Sequence, residues 1–156
     1  MSQKVIYVCH RPMILEIILD QEKLIRISFL EALPPGKKQA PRNDPVARQF
    51  RDYLSGTGKS IDVPFILDGT AFQKAVWKAA SGVEYGKTST YAEIAGLIGN
   101  PGSSRAVGNA LRRNPLPLVI PCHRIVGARG KLTGFAGGIT IKQFLLDLEK
   151  RPTNHD

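Results

Sequence analysis

Residues 116–126 read LPLVIPCHRIV, an apolar run that carries two prolines and the dipeptide Cys122-His123. Pro117 and Pro121 fix φ and remove backbone donors, so we expect a rigid, strand-like passage rather than a regular ladder. A histidine can activate a thiol by accepting its proton, and because adjacent side chains point apart we expect a water to bridge the two. The plainer alternative is an inert buried cysteine beside a core histidine.

The segment before this run predicts helices. Thr70 is a suitable N-cap for a helix that follows it. Residues 91–98 and about 103–111 predict two shorter helices, separated by Asn100-Pro101-Gly102. Two short helices joined by a tight glycine-containing turn are typical of a helix-turn-helix.

After the proline-containing run, a glycine-rich, hairpin-like loop is expected over Gly127–Gly138. Ile139–Glu149 then predicts a last amphipathic helix. Glu149, near the end of that helix, is a candidate to orient the second nitrogen of His123, as the acidic member of a catalytic triad does.

The N-terminal part has the pattern of a small α/β unit. Two β-rich apolar runs, Met13–Leu19 and Leu24–Leu30, predict a hairpin. Asp44-Pro45 predicts the N-cap and the first position of a helix that ends near Gly56. We expect a domain boundary after residue 66, which gives an N-terminal α/β domain over 1–66 and a mostly α-helical domain over 67–156.

The charge of the chain is distributed unevenly. The net charge is +9, and residues 94–146 contain seven Lys or Arg but no Asp or Glu. A basic half without acidic residues is typical of a surface that faces phosphates. A generally basic protein surface is the alternative.

The second of the two short helices carries three small residues, Ala106, Gly108 and Ala110. Small side chains allow another surface to come close, and close packing against a neighbouring helix is the alternative interpretation. Arg105, Arg112 and Arg113 on the same helix favour a nucleic-acid backbone.

Composition narrows the class of protein further. With only two cysteines, Cys9 and Cys122, a disulfide framework is not indicated, and the reducing cytoplasm is the natural compartment. Cys9-His10 lacks a second cysteine pair, so we expect no metal. The apolar run Met13–Leu19 is too short to span a bilayer, so we expect no membrane anchor.

Several motifs resemble one family. Residues 121–126 (PCHRIV) closely resemble the active-site signature of the O6-alkylguanine-DNA alkyltransferases, also called methylated-DNA–protein-cysteine methyltransferases. The resemblance continues in residues 90–95 (TYAEIA), 105–110 (RAVGNA), 113–115 (RNP), 134–138 (GFAGG) and 145–149 (LLDLE). It covers about Phe72–Glu149, half of the chain, in the family's order and spacing.

The resemblance implies a fold and an activity. The fold would be a small ribonuclease-H-like N-terminal domain followed by a winged-helix-like C-terminal domain. The activity would be DNA repair by direct, irreversible transfer of an alkyl group from O6-alkylguanine, and also from O4-alkylthymine, to Cys122. The base would be flipped out through the minor groove, once per molecule. The family needs no cofactor, and its partner is double-stranded DNA bound by a monomer, with cooperative binding left open.

The resemblance also assigns residues. Cys122 would attack the alkyl carbon while His123 and Glu149 activate it through water. Asn114 would brace the loop that carries the thiol, and Tyr91 would donate a proton to the leaving guanine. The residues expected to contact DNA or the flipped base are Arg105, Ala106, Gly108, Ala110, Arg112, Arg124, Ile125, Phe135 and Ala136.

One position departs from the family's pattern. The substrate loop commonly carries Tyr followed by Ser or Ala, whereas this chain has Phe135-Ala136. Phe135 keeps an apolar wall but loses a hydroxyl, while the Ala136 N–H can still recognise an oxygen.

Two other classes of function remain open from the residues alone. A Cys-His-acid hydrolase would need an oxyanion hole, which no motif marks. A helix-turn-helix regulator or a non-reactive lesion sensor would not need the reactive thiol.

Overall fold

The computed structural model describes residues 3–151, and the N-terminal part is an antiparallel sheet of three strands that follow one another in chain order. The strands are β1 (Gln3–His10), β2 (Met13–Asp20) and β3 (Lys23–Leu30). The predicted hairpin is confirmed, with Asp20 paired to Lys23. The sequence does not predict β1, because its buried residues 6–8 are consecutive instead of alternating.

One helix, α1 (Pro45–Ser55), covers this sheet and confirms the predicted cap. The side chain of Asp44 accepts a hydrogen bond from the Ala47 N–H, and Gly56 ends the helix with φ 86°. The face that packs inward consists of Ala47, Phe50, Tyr53 and Leu54.

The rest of the chain is mostly helical, as expected. It contains α2 (Ala71–Ser81), β4 (Ser89–Thr90), α3 (Tyr91–Leu97), α4 (Ser104–Arg112), β5 (Ile125–Val126) and α5 (Ile139–Lys150). Thr70 and Thr90 begin α2 and α3 with reciprocal capping boxes to Gln73 and Glu93, which confirms both predicted helix starts. Within residues 3–151, no helix has the length and apolarity needed to cross a membrane.

The proline-containing run 116–126 forms no regular ladder before residue 125, as predicted, but it consists mainly of turns and is not strand-like there. Residues Cys122–Arg124 form a single 3₁₀ turn, and β5 follows it and pairs in parallel with β4. The absence of a ladder has the expected cause, because Pro117 and Pro121 each lack the N–H that a strand ladder requires. The nucleophile candidate therefore lies in a tight turn.

The loop Gly127–Gly138 is irregular and does not form the expected hairpin. A 3₁₀ turn occupies Ala128–Gly130. Further along, Gly137 lies so close to the rings of Phe29 and Phe135 that an added Cβ would be 3.0–3.1 Å from them. Close packing against β3, rather than strand pairing, therefore positions this loop.

The buried core continues from the sheet into the helices. Trp77 of α2 is 2% exposed, and its indole Nε1–H donates to the Ala110 carbonyl at 2.8 Å. The Ile27 N–H of β3 donates to the Pro115 carbonyl at 2.9 Å, so the sheet also binds the segment after α4. The boundary after residue 66 stays a prediction, and Met1, Ser2 and residues 152–156, which the predicted domains include, lie outside the described residues.

The packing around Trp77 predicts the effect of a methyl group at Gly69. A Cβ there would be 2.6 Å from the indole ring and 2.9 Å from the capping oxygen of Gln73. We expect Gly69→Ala to lower the free energy of unfolding by about 1–3 kcal/mol in urea titrations. Gly96→Ala is the control, since nothing lies within 4 Å of that Cβ and alanine favours a helix. Equal stability of the two variants would contradict this packing.

Candidate active site

Cys122 is buried in the 3₁₀ turn and is held there by Asn114. The thiol residue is 6% exposed. The Asn114 Nδ2 donates to Cys122 Sγ at 3.2 Å and to the Ile120 carbonyl at 3.0 Å. Its Oδ1 accepts from the Leu116 N–H at 2.8 Å. Asn114 therefore braces the loop that carries the thiol, through both the nitrogen and the oxygen of its side-chain amide.

The environment of the thiol keeps it protonated at neutral pH. Burial raises the pKa of Cys122 to about 11, although the Asn114 hydrogen bond and the Lys142 charge act in the opposite direction. Only the thiolate is a strong nucleophile, so a reaction at this sulfur would need a base.

The carboxylate of Glu149 is the centre of a buried hydrogen-bond network. It accepts from His123 Nε2 at 2.7 Å, from Arg124 Nε at 2.8 Å and Nη2 at 3.0 Å, from the Gly86 N–H at 3.2 Å and from the Tyr53 hydroxyl. Burial disfavours the charge, but the hydrogen bonds from His123 and Arg124 outweigh it and lower the pKa of Glu149 to about 2. The carboxylate is therefore ionised.

His123 is fully buried and neutral. Burial lowers its pKa below the usual value, against the effect of Glu149. Since Glu149 is ionised, Nε2 carries the proton that it donates, and Nδ1 is left with a lone pair. Nδ1 has no hydrogen-bond partner among the described residues. The ring therefore presents a free basic nitrogen, on the side that Glu149 does not occupy.

Arg124 is not a surface residue, which corrects its expected contact with DNA. It is 8% exposed, and besides Glu149 it binds the Val83 carbonyl at 2.7 Å and lies over the Tyr85 ring at 5.6 Å. A guanidinium engaged in this way has no free face for a phosphate. Arg124 turns inward because it directly follows the buried His123 and because the ionised Glu149 attracts its charge.

A cavity of about 440 Å³ lies between α3, α4 and the loop before α5. Its lining residues are Tyr91, Ser104, Arg105, Gly108, Arg112, Thr133 and Gly134. The Tyr91 hydroxyl accepts from Thr133 Oγ1 at 3.0 Å, so its position is fixed. Of the predicted site residues, the structure brings Tyr91, Arg105, Gly108 and Arg112 together here.

Three further predicted positions are not in the lining of this cavity. Phe135 is half-buried, with its ring 5.5 Å from that of Phe29, and Ala136 is exposed. Ile125 is fully buried, and its carbonyl accepts from Lys142 Nζ at 2.6 Å. A role of these residues in reading the base therefore stays a prediction.

The residues of α4 predicted to contact DNA lie on two different faces of the helix. Arg105, Ala106 and Arg112 are exposed and Gly108 is half-buried. Ala110 is only 3% exposed and its carbonyl accepts from the Trp77 indole, so its burial speaks against the expected contact with DNA. The alternative, close packing, applies to this one small residue.

Lys142 is a site residue that the sequence does not identify. It is fully buried, and its Nζ donates to the carbonyls of Ile125 and Thr133 at 2.6 and 2.9 Å and approaches the Tyr91 hydroxyl at 3.5 Å. In the sequence its charge places it among the residues of a basic surface, but its side chain is not part of that surface. Helical spacing is the signal that would have identified it, because Lys142 shares the inward face of α5 with Leu145 and Glu149.

Comparisons with known proteins place this geometry in context. A model of the 6-O-methylguanine DNA methyltransferase DNA-binding domain matches residues 71–151. The methylated-DNA–protein-cysteine methyltransferase of Methanosarcina acetivorans is 46% identical over 140 residues, which cover 83% of this chain and 87% of that protein. The protein of that name from Haemophilus influenzae is 42% identical over 143 residues, which cover 87% of this chain and 80% of that protein.

Solved structures extend the similarity beyond residues 71–151. The O6-methylguanine methyltransferase of Mycobacterium tuberculosis has a TM-score of 0.84 at 38% identity, covering 98% of this chain and 97% of that one. M. tuberculosis OGT in complex with DNA has a TM-score of 0.83 at 38% identity, covering 94% and 92%. The N-terminal sheet and α1 are therefore included in the shared fold.

The buried pair of His123 and Glu149 predicts that the protein loses stability in acid. Both folded pKa values are lowered, so each group stabilises the fold above its unfolded pKa and ceases to do so as the pH falls. The free energy of unfolding should fall below about pH 6.5 and more steeply between pH 4.5 and about 2.

Urea titrations between pH 7 and pH 2.5 measure this dependence. Glu149→Gln should be less stable at pH 7, because Arg124 loses its counter-charge, and should show a flatter decline below pH 4.5. Asp147→Asn removes an exposed carboxyl from the same helix and should keep the wild-type slope. A wild-type slope in Glu149→Gln would contradict the assignment.

Proposed function

The chain belongs to the methylated-DNA–protein-cysteine methyltransferase family, a family of DNA-repair enzymes, and we propose that its acceptor is the sulfur of Cys122 and its substrate O6-alkylguanine. One observation carries the assignment. The thiol is hydrogen-bonded to Asn114 in a tight turn, and the next residue is a neutral histidine whose other nitrogen is fixed by a buried carboxylate.

Activation of the thiol follows from the state of His123. Its Nδ1 holds a lone pair and needs a hydrogen-bond partner, and a water between Nδ1 and Sγ would provide one. Through that water the thiol proton passes to the imidazole, and Glu149 stabilises the resulting imidazolium. The charge of Lys142 favours the thiolate. The buried network thus supplies the base that the high pKa of the thiol requires.

The transfer itself is a displacement at the alkyl carbon. The thiolate attacks in line with the C–O bond, so that an S–C bond forms while the bond from carbon to O6 breaks. The electron pair remains on the guanine, and Tyr91 donates a proton to the leaving base. The hydrogen bonds from Thr133 and Lys142 hold the Tyr91 hydroxyl at the cavity. Tyr91 and the thiol therefore act on opposite ends of the breaking bond.

The cavity beside α4 supports recognition of a flipped base. Its volume of about 440 Å³ is within the range of small-molecule sites. Ala106 and Gly108 on the outer face of α4 allow the helix to approach a minor groove closely, and Arg105 would fill the space that the flipped base leaves. Arg112 adds charge for the phosphates.

Single turnover and a second substrate follow from the chemistry of the transfer. The thioether formed on Cys122 offers water no good leaving group, so each molecule reacts once. O4-alkylthymine presents a comparable alkyl-oxygen bond and is included as a substrate. We further propose that the protein acts as a monomer, and that the sheet with α1 and the unit around α3 and α4 are ribonuclease-H-like and winged-helix-like.

Alkyl transfer predicts a fixed stoichiometry. After incubation with a duplex that contains O6-methylguanine, intact-mass spectrometry should show one added methyl group per chain, and peptide mapping should place it on Cys122. Cys122→Ala should gain none, whereas Cys9→Ser should react as the wild type does. Repeated turnover, or methylation of Cys9 alone, would contradict single-use transfer to Cys122.

Close approach of α4 to DNA predicts a selective defect at Ala106. We expect Ala106→Phe to weaken binding to duplex DNA by about tenfold or more, while the reaction with free O6-benzylguanine stays within about twofold. Ala75→Phe makes the same change at an exposed position of α2 and should alter neither. Gly108 is less suitable, because a Cβ there would be 3.7 Å from the Tyr91 ring and a larger group would move it. Equal losses in both assays for Ala106→Phe would contradict a direct contact.

A further inference from the structure

Tyr53 brings the N-terminal part of the chain into the network around Glu149. It lies on α1, outside the residues 71–151 that the family model matches, and is 1% exposed. Its hydroxyl donates to Glu149 Oε2 and lies 3.2 Å from His123 Nε2. The same carboxylate oxygen therefore binds Tyr53 and the histidine.

A hydrogen bond to a carboxylate stabilises its charge and lowers its basicity. The basicity of Glu149 in turn sets how strongly it stabilises a positive charge on His123. A donor to Oε2 other than His123 therefore makes the protonated imidazole easier to deprotonate. Arg124 Nη2 is one such donor at 3.0 Å, and the Tyr53 hydroxyl is another.

Tyr53 can fill this role across the working pH range. Burial, together with the negative charge of Glu149, raises its pKa, so the phenol stays a neutral donor. The charged and titratable groups that face this cluster, directly or through the Tyr85 ring, are Glu149 and Lys142 of α5, His123 and Arg124 of the turn, Tyr85, Lys59 and Arg151. Among them, His123 is the group whose ordinary pKa is closest to neutrality.

We propose that Tyr53 is a positioning residue for alkyl transfer, which holds Glu149 Oε2 against His123 and keeps the imidazole in its basic form at neutral pH. The inference rests on the proposed function, since it concerns the base that activates Cys122. It makes α1 part of the proton relay, although α1 carries no residue that touches the alkyl group.

The test is the pH dependence of a single turnover. The second-order rate constant for methyl transfer from an O6-methylguanine duplex is measured from pH 5 to pH 9 for the wild type and Tyr53→Phe. We expect the midpoint of the acid limb to move up by about one pH unit, so that the variant is about tenfold slower below the midpoint and nearly unchanged above it.

Tyr7→Phe is the matched control. Tyr7 is also buried in the N-terminal part, and its hydroxyl donates to the carboxylate of Glu16 at 3.2 Å instead of to Glu149. This variant should keep the wild-type midpoint. A profile of Tyr53→Phe that is lowered equally at every pH, or that matches the wild type, would overturn the proposal.

A second substitution covers the case in which Tyr53→Phe does not fold. Site-specific 3-fluorotyrosine at Tyr53 preserves the shape of the ring and makes the hydroxyl a stronger donor, so the acid limb should move down. An unchanged limb would overturn the proposal. If the wild type itself transfers no methyl group to Cys122, the proposed function fails first, which separates the two failures.

Discussion

Glu149 carries a charge that the protein has removed from water, and much of the fold around the site can be understood from that constraint. The penalty for burying a lone carboxylate is several kcal/mol, and it is offset only where donors replace the lost hydration. The donors here come from α1 through Tyr53, from the loop at Gly86 and from the turn through His123 and Arg124. One side chain of α5 therefore fixes the relative positions of segments far apart in the sequence.

The turn at Cys122 is held from two directions. Asn114 binds the sulfur and the Ile120 carbonyl at its start, while Glu149 binds the side chains of His123 and Arg124 after the sulfur. Because Pro117 and Pro121 also stiffen the approach, the sulfur has little freedom to move. Rigid placement suits a displacement reaction, in which the nucleophile must align with the bond that breaks.

The sequence predicted those features that depend on neighbouring residues. Asp44, Thr70 and Thr90 are caps whose partners lie three residues away, and each begins a helix as expected. Most features that depend on distant partners were missed or misread, although the pairing of Glu149 with His123 was anticipated. In the sequence, Arg124 and Lys142 look like residues of a basic surface. Only the folded chain shows that Arg124 binds Glu149 and that Lys142 binds two backbone carbonyls.

The same distinction applies to small residues and strands. Gly108 and Ala110 are both small residues in the sequence, but in the folded helix Gly108 lines the cavity and Ala110 is buried. In the run 116–126 the apolar pattern favours a strand, yet the missing N–H groups of two prolines leave it without a ladder before Ile125. Tyr53 is periodic with Phe50 and Leu54, so its pattern indicates an ordinary core position.

The raised pKa of Cys122 has a consequence for how long the protein remains usable. Peroxides and small soluble electrophiles react with thiolates much faster than with thiols, and oxidation beyond sulfenic acid is irreversible. A sulfur that stays protonated and buried until a substrate is aligned with it is therefore shielded from chance oxidation and adventitious alkylation. If each molecule reacts once, as proposed, this shielding determines what fraction of the molecules is still intact when a lesion appears.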